Sequence, residues 1–195
     1  MLIGSICVSF WALISERLFI YDYWTPQFIF GSKFGMEDFI YGFLAGGIAN
    51  VVYEEIFGIK HSKRKNRSHD WSVFLLPVFG ISLALFVISM LFFKINTMLS
   101  VLIPIIILTI FMIYLRKDLL RDAIISGIIF SLITFLNYII LIHLFPSIID
   151  HWYHGKGINY HLFLGVPMGE IYWAIALGAV AGPFYEFFVG LKYKK

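Results

Sequence analysis

Six apolar stretches, each long enough to cross a bilayer, constrain this chain more than any other feature. They lie near residues 2–21, 36–58, 71–93, 97–115, 120–145 and 167–190. A hydrocarbon core about 30 Å thick takes roughly twenty helical residues, and backbone polar groups in lipid must be satisfied within each segment. The expectation is an all-α polytopic membrane protein of six transmembrane helices, a single membrane domain over residues 1–195. Composition agrees, with 60% hydrophobic and 14% charged residues and a mean hydropathy of +0.85. An ordinary soluble domain is excluded. No basic residue precedes the first apolar run and no small-residue cleavage site follows it, so it reads as a retained helix rather than a signal peptide.

Charge sets the orientation. Lys60, Lys63, Arg64, Lys65 and Arg67 fall between spans two and three, Arg116, Lys117 and Arg121 between spans four and five, and Lys192, Lys194 and Lys195 in the tail. Alternating spans put all of these on one face and leave Lys33, Lys94 and Lys156 on the other. The basic face is expected to be cytoplasmic, with both termini inside the cell membrane. Beside a membrane span, the basic stretch from 60 to 67 signals topology and affinity for anionic lipid, not nucleic acid.

One stretch occurs twice. Residues 35–58, GMEDFIYGFLAGGIANVVYEEIFG, align without a gap on residues 167–190, PMGEIYWAIALGAVAGPFYEFFVG. Met36, Gly46, Ala49, Tyr53, Glu54 and Gly58 find their identities in Met168, Gly178, Ala181, Tyr185, Glu186 and Gly190, and Asp38 falls on Glu170. Each copy follows an Asp-x-Trp, at Asp22 to Trp24 and at Asp150 to Trp152. These matches read as an internal duplication, with residues 1–96 as the first repeat and 97–195 as the second. Helices one and two correspond to five and six. The two copies run in the same direction, so the duplication is parallel, unlike the inverted repeats of many transporters. Spans three and four are nearly free of ionisable residues and read as packing or lipid-facing helices.

Chemistry in such a chain rests on its intramembrane acids. Glu37, Asp38 and Glu170 stand where helices two and six begin, and Glu54, Glu55 and Glu186 stand near their other ends. Sixteen residues, about 24 Å of helix, separate the tiers, so they cannot act on one atom. Acids in a first turn can cap a helix, but one would suffice and helix two has two. The functional reading brings Asp38, Glu170 and Glu37 together between the repeats, as a carboxyl site able to donate a proton. The inner acids can pair with the basic loop and tail, and Tyr53 and Tyr185 beside them suit a shared structural role. Glu16 and Arg17 read as a local pair with Arg17 snorkelling outward, or as a cation that sets the charge of the outer acids.

Other polar residues point less far. Asn137 and His143 suit helix–helix hydrogen bonds. His151, His154 and His161 lack ligand spacing, so no metal is expected. Cys7 allows no intramolecular disulfide and reads as a small apolar residue. Gly42, Gly46, Gly47, Gly178 and Gly182 form small-residue faces for close helix packing. They lie inside helices, which rules out a phosphate loop.

The Asp-x-Trp, the short aromatic loop and the sequence Gly165-Val166-Pro167-Met168-Gly169-Glu170 opening an apolar helix resemble the lycopene cyclase domain of integral-membrane carotenoid cyclases. That family carries tandem three-helix units with a Pro-apolar-Glu-Glu/Asp motif at a helix start. Here Gly35-Met36-Glu37-Asp38 keeps both acids without the proline, and Pro167-Met168-Gly169-Glu170 keeps the proline without the first acid. The resemblance covers roughly residues 16–58 and 100–190. It implies redox-neutral, acid-catalysed ring closure of a linear polyene such as lycopene, with no cofactor and with membrane lipid and an apolar isoprenoid as partners. On that basis Asp38 and Glu170 form the central pair, one donor and one base, with Glu37 tuning them. Trp24, Tyr41, Trp152, Tyr172 and Trp173 offer aromatic faces to a cation. Aromatic belts place such residues at the same depth for other reasons. Two alternatives stay open: a non-catalytic carotenoid- or lipid-binding membrane protein, and a proton-coupled transporter. Unbroken spans with acids at their ends count against the transporter.

Overall fold

The structure, a computed structural model, describes residues 2–29, 35–58, 61–63, 74–154 and 161–193. Lys33, Lys60, Arg64, Lys65, Arg67, Lys156, Lys194 and Lys195, which carry much of the charge asymmetry, lie outside the described residues. The long helices are α1 (Leu2–Asp22), α2 (Met36–Phe57), α3 (Leu75–Leu91), α4 (Thr97–Leu115), α5 (Leu120–Leu144) and α7 (Met168–Ala181), with short helices α6 (Ile148–Trp152) and α8 (Phe184–Val189). Four β segments accompany them: β1 (His61–Lys63), β2 (Leu162–Phe163), β3 (Val166–Pro167) and β4 (Leu191–Tyr193).

Among the described residues, four helical stretches are long and apolar enough to cross a membrane: Leu2–Asp22, Thr97–Leu115, Lys117–Leu144 and Met168–Val189. The chain is an all-α membrane protein. Two of the six expected spans are weaker by length and composition. α2 carries Glu37, Asp38, Glu54 and Glu55, and α3 has 17 residues. The sixth span is also not one unbroken helix, because Gly182 and Pro183 part α7 from α8. Proline has no N–H and its ring clashes with the preceding turn. That break removes the argument against a transporter that rested on unbroken spans.

Two antiparallel helix pairs form the frame, α1 with α2 and α5 with α7. Glycines set their spacing. A Cβ at Gly46 would lie 2.8 Å from Val8 Cβ, and one at Gly178 would lie 2.6 Å from the Ser126 carbonyl and 2.9 Å from Gly127 Cα. Such contacts draw the backbones together and replace the missing hydrophobic drive of a lipid solvent with dispersion. The lipid side of α5 follows from the same logic. Ile124, Ile128, Leu132, Leu136, Ile140 and Leu144, every fourth residue, are exposed, while Asp122, Ala123, Ser126, Gly127, Phe130 and Thr134 are buried. Spacing by four keeps each set on its own face.

α4 is a packing helix on one face and leaves Ile106, Ile107, Ile110 and Phe111 exposed on the other. It packs on α7 and α1, burying Val101, Leu102, Pro104, Ile105 and Met112. Its first turn is held by the first Asp-x-Trp: Asp22 accepts from the Thr97 N–H at 3.0 Å and from the Thr97 hydroxyl, while Asn96 caps Met98 N–H at 3.0 Å.

At one end of the bundle the two aromatic loops clasp each other. Thr25 N–H donates to Trp152 O at 2.7 Å, His154 N–H donates to Tyr23 O at 2.9 Å, and Trp24 bridges to Tyr153. At the opposite end α2 and α8 stop alike. Gly58 (φ 60°) and Gly190 (φ 70°) take the left-handed conformation that glycine tolerates, and their N–H groups bond to Glu54 O and Glu186 O. The strands that follow, β1 and β4, pair antiparallel with His61 opposite Tyr193. Arg116, buried, locks this end, donating to Glu186 O at 2.6 Å and Leu191 O at 2.8 Å beside its ion pair with Asp118 at 2.5 Å. Charge-assisted bonds of this kind are worth about 1.5–3 kcal/mol each. Arg116→Ala is expected to lower stability by about 3 kcal/mol, since the carbonyls stay buried without a donor; an unchanged thermal midpoint in detergent would refute that role.

Candidate active site

Between α1, α2, α5 and α7 lies a cavity of about 770 Å³, bounded further in by α3 and α4. Size and apolar walls suit a drug-sized or longer ligand. Its polar groups gather at the clasped-loop end, where Glu16, Glu37, Asp38 and Glu170 all reach the wall.

Each carboxyl is delivered by a specific local structure. Glu170 sits in the first turn of α7, whose entry is set by the β2–β3 hairpin. Gly165 at φ 85° makes that turn, and Leu162 pairs with Pro167. Only 9% exposed, Glu170 accepts from the Tyr153 hydroxyl at 3.3 Å, which in turn lies 2.6 Å from the Tyr138 hydroxyl. Tyr23 also interacts with this carboxyl. Tyr138 on α5 and two residues just past helix ends, Tyr23 after α1 and Tyr153 after α6, thus surround one acid. Asp38 sits over the start of α2, where the family motif has proline. A Cβ at Gly35 would lie 2.7 Å from Asp38 Cγ, so the glycine makes room for the carboxyl. The N-cap residues Gly35 and Pro167 offer no capping side chain, and Glu37, Asp38 and Glu170 stand in the first turns of α2 and α7.

Glu37 lies in the electrostatic range of Asp38 and has a second contact. It accepts from Ile29 N–H at 2.8 Å and so ties down the first aromatic loop. The acid that joins Asp38 and Glu170 is Glu16. It is 7% exposed, takes a hydrogen bond from Trp24 Nε1 at 3.1 Å, and lies in the electrostatic range of both Asp38 and Glu170. Reading Glu16 as half of a local pair with Arg17 missed this, because the turn of α1 that points it inward depends on α2 and α7. Arg17 lies in the range of Glu16 and Asp38.

Four of the five expected aromatics line the cavity: Trp24, Tyr41, Trp152 and Trp173. Tyr172 does not, since it lies one position around α7 from Trp173. Tyr41 stacks on Trp173 with centroids 6.0 Å apart, and Trp24 meets Trp152 at 6.2 Å. Tyr138 and Tyr153, which hold Glu170, were not anticipated; nothing in their spacing reveals that two helices bring them together. Among the described residues, buried polar atoms without a partner on the cavity wall include Trp11 Nε1, Glu16 Oε1 and Asn50 Oδ1.

The inner acids form a separate group. Glu54, Asp122 and Glu186 place carboxylate oxygens within 4.8 Å of one another, close enough for a cation to bridge. Asp122, in the first turn of α5, is fully buried and accepts from Ser126 Oγ at 2.8 Å. Glu55 points away and is exposed. Tyr53 is buried against Phe57, at 5.2 Å, and Tyr185 is half-buried. Of the outer histidines, His154 meets Thr25 Oγ1 at 2.6 Å and His151 meets Ser147 O at 2.8 Å.

Comparison with known families adds one finding. Residues 94–188 match the model of the family described as lycopene cyclase. No curated protein and no solved structure matches the chain. The matched segment holds α4 to α7 and most of α8, and with them Glu170, Tyr138, Tyr153, Trp152 and Trp173; Glu16 and Asp38 lie outside it. The tyrosine-held acid at the mouth of an apolar cavity therefore falls inside the region, just under half of the chain, that is similar to the lycopene cyclase family.

Proposed function

We propose that the protein closes a ring at the end of a linear polyene by acid catalysis within the membrane. The observation that carries this is the placing of Glu16, Asp38 and Glu170 at one end of an elongated apolar cavity, under aromatic faces. An apolar polyene partitions into the bilayer and enters such a cavity without desolvation. Glu16, on the cavity wall and in the electrostatic range of Asp38 and Glu170, is the donor. Its proton passes to the terminal double bond, leaving a tertiary cation. A neighbouring double bond attacks this cation, forming the ring bond and moving the positive charge onto the ring. Glu170, fixed by Tyr153, takes a proton from the adjacent carbon and a new double bond forms. The product is an isomer of the substrate. The proton returns to Glu16, which lies in the electrostatic range of both Glu170 and Asp38. Tyr41, Trp173, Trp24 and Trp152 shield the cation from water, each contact worth about 0.5–2 kcal/mol.

The same reading includes six crossings and a parallel duplication about an axis along the membrane normal. Residues on such an axis meet their own counterparts. Four counterpart pairs do so at successive depths: Trp24 with Trp152, Tyr41 with Trp173, Glu54 with Glu186, and His61 with Tyr193. This supports residues 1–96 and 97–195 as the two repeats, and the charge pattern supports cytoplasmic termini in the cell membrane. The transporter alternative draws on the inner carboxyls and the break at Gly182, yet the aromatic-walled cavity has no use in moving protons.

Incubating lycopene with membranes containing the protein in D₂O tests the reaction. Ring-bearing product of otherwise unchanged composition, with one deuterium gained for each ring closed, is expected. Cyclised product without deuterium, or no product from folded protein, would refute the proposal.

A further inference from the structure

The cavity wall is covered by neighbouring helices on every side but one. Among the described wall residues on the long helices, four are exposed: Tyr41, Leu44 and Ile48 on α2 and Asn137 on α5. The wall residues on α1, α3, α4 and α7 are all buried or partly buried. A side chain that lines a cavity and also meets the surroundings marks a place where the wall is open. Tyr41, Leu44 and Ile48 follow one another at three and four positions, so they share one face of α2. The opposite side, between α1 and α3, is closed by rings instead, Trp11 meeting Phe79 at 5.7 Å and Phe86 at 5.8 Å.

α2 and α5 run antiparallel across this opening. Glu54, near the end of α2, and Asp122, in the first turn of α5, bring carboxylate oxygens within 4.8 Å, while Tyr41 and Tyr138 both lie in the electrostatic range of Glu170. Counted outward from the Glu54–Asp122 pair, Leu44 and Ile133 stand at about 15 and 17 Å, and Tyr41 and Asn137 at about 20 and 23 Å. Each pair shares a depth on the two sides of a slot. Neither Tyr41 nor Asn137 makes a hydrogen bond among the described residues, so no polar contact of theirs ties the sides together there. α5 is long and apolar enough to cross a membrane, and Asn137 lies about 10 Å inside its end at Leu144. The slot therefore faces acyl chains rather than headgroups.

We propose, resting on the polyene-cyclase reading only for the apolar nature of the ligand, that the slot between α2 and α5 is the doorway by which a linear apolar ligand passes sideways between bilayer and cavity. Leu44 and Ile48 form one jamb, Ile133 and Asn137 the other. Tyr41, stacked on Trp173, stands where an entering chain end first meets the acids. A ligand dissolved among acyl chains takes this route without exposing apolar surface to water, which would cost about 25 cal/mol per Å².

The test uses the full chain in lipid nanodiscs, with Cys7→Ala to remove the native thiol. A linear hydrocarbon carrying a mid-chain diazirine is added and irradiated after short intervals. Mass spectrometry follows labelling of Phe130 and Leu177, wall residues that are themselves buried. Leu44→Cys modified with N-(1-pyrenyl)maleimide is expected to lower the initial labelling rate about tenfold, as a block at a gating step does. The same adduct at Ile110→Cys, exposed on α4 and off the cavity wall, should leave the rate unchanged. Leu44→Ala, which removes bulk from a jamb and places nothing in the cavity, should raise it. Equal rates for the two adducts, no gain in Leu44→Ala, or a parent protein in which Phe130 and Leu177 are never labelled overturns the proposal. The two readings fail separately. Doorway-dependent labelling without ring closure of lycopene would remove the cyclase and leave the doorway. Ring closure with equal labelling rates would do the reverse.

Discussion

Glu170→Gln is expected to abolish ring closure, lowering turnover about a thousandfold while the protein still folds. The amide preserves shape and can still accept from Tyr153, so the surrounding tyrosines keep their places. What it cannot do is take a proton from the ring carbon. General acid–base groups contribute about 10²–10⁴ in rate, and the cation formed in this cavity has no water to fall back on. Glu16→Gln should lose activity to a similar degree by removing the donor. The informative comparison is the double variant. If both act on one proton path, the pair loses hardly more than either alone, as groups that work as a unit are non-additive. Chromatography of lycopene products at equal membrane expression reads this out; substantial turnover by Glu170→Gln would move the base to Asp38.

The largest structural effect belongs to the α5–α7 seam. Gly178→Leu should prevent the folded protein from accumulating, because even its Cβ would lie 2.6 Å from the Ser126 carbonyl and 2.9 Å from Gly127 Cα. Those are backbone atoms, which cannot rotate aside as a side chain can. Forcing the helices apart costs more than about 3 kcal/mol, and it would also move Phe130 and Trp173 off the cavity wall. Gly80, which has open space around its would-be Cβ, is the control: Gly80→Leu should leave detergent-extracted yield unchanged. Equal yields of the two variants would show that the seam does not set helix spacing.

Several features were readable because they depend on local chemistry alone. Residue hydropathy marks the long apolar helices, since lipid admits no unsatisfied backbone. The ends of α2 and α8 were visible as glycines at 58 and 190, where only a residue without Cβ adopts the left-handed turn easily. Glu170 after Pro167 was visible too, and it is the acid that the structure holds most elaborately.

Other features depend on which turns face each other. The break at Gly182 and Pro183 was legible as a Gly-Pro pair, yet whether the helix kinks or stops is settled by packing. Glu16 was in plain view beside Arg17, but a helix rotates neighbouring residues by about 100°, so one faces the cavity by virtue of α1's seating on α2. Glu37 ties the loop through a backbone N–H whose position no spacing reveals. The acids, the apolar helices and the small-residue faces were therefore determined by residue type and period. Their convergence on one cavity, with Tyr138 and Tyr153 around Glu170 and Asp122 beside Glu54 and Glu186, was decided only by tertiary structure, because contacts across helices depend on rotation and register that the close approach at glycine seams sets.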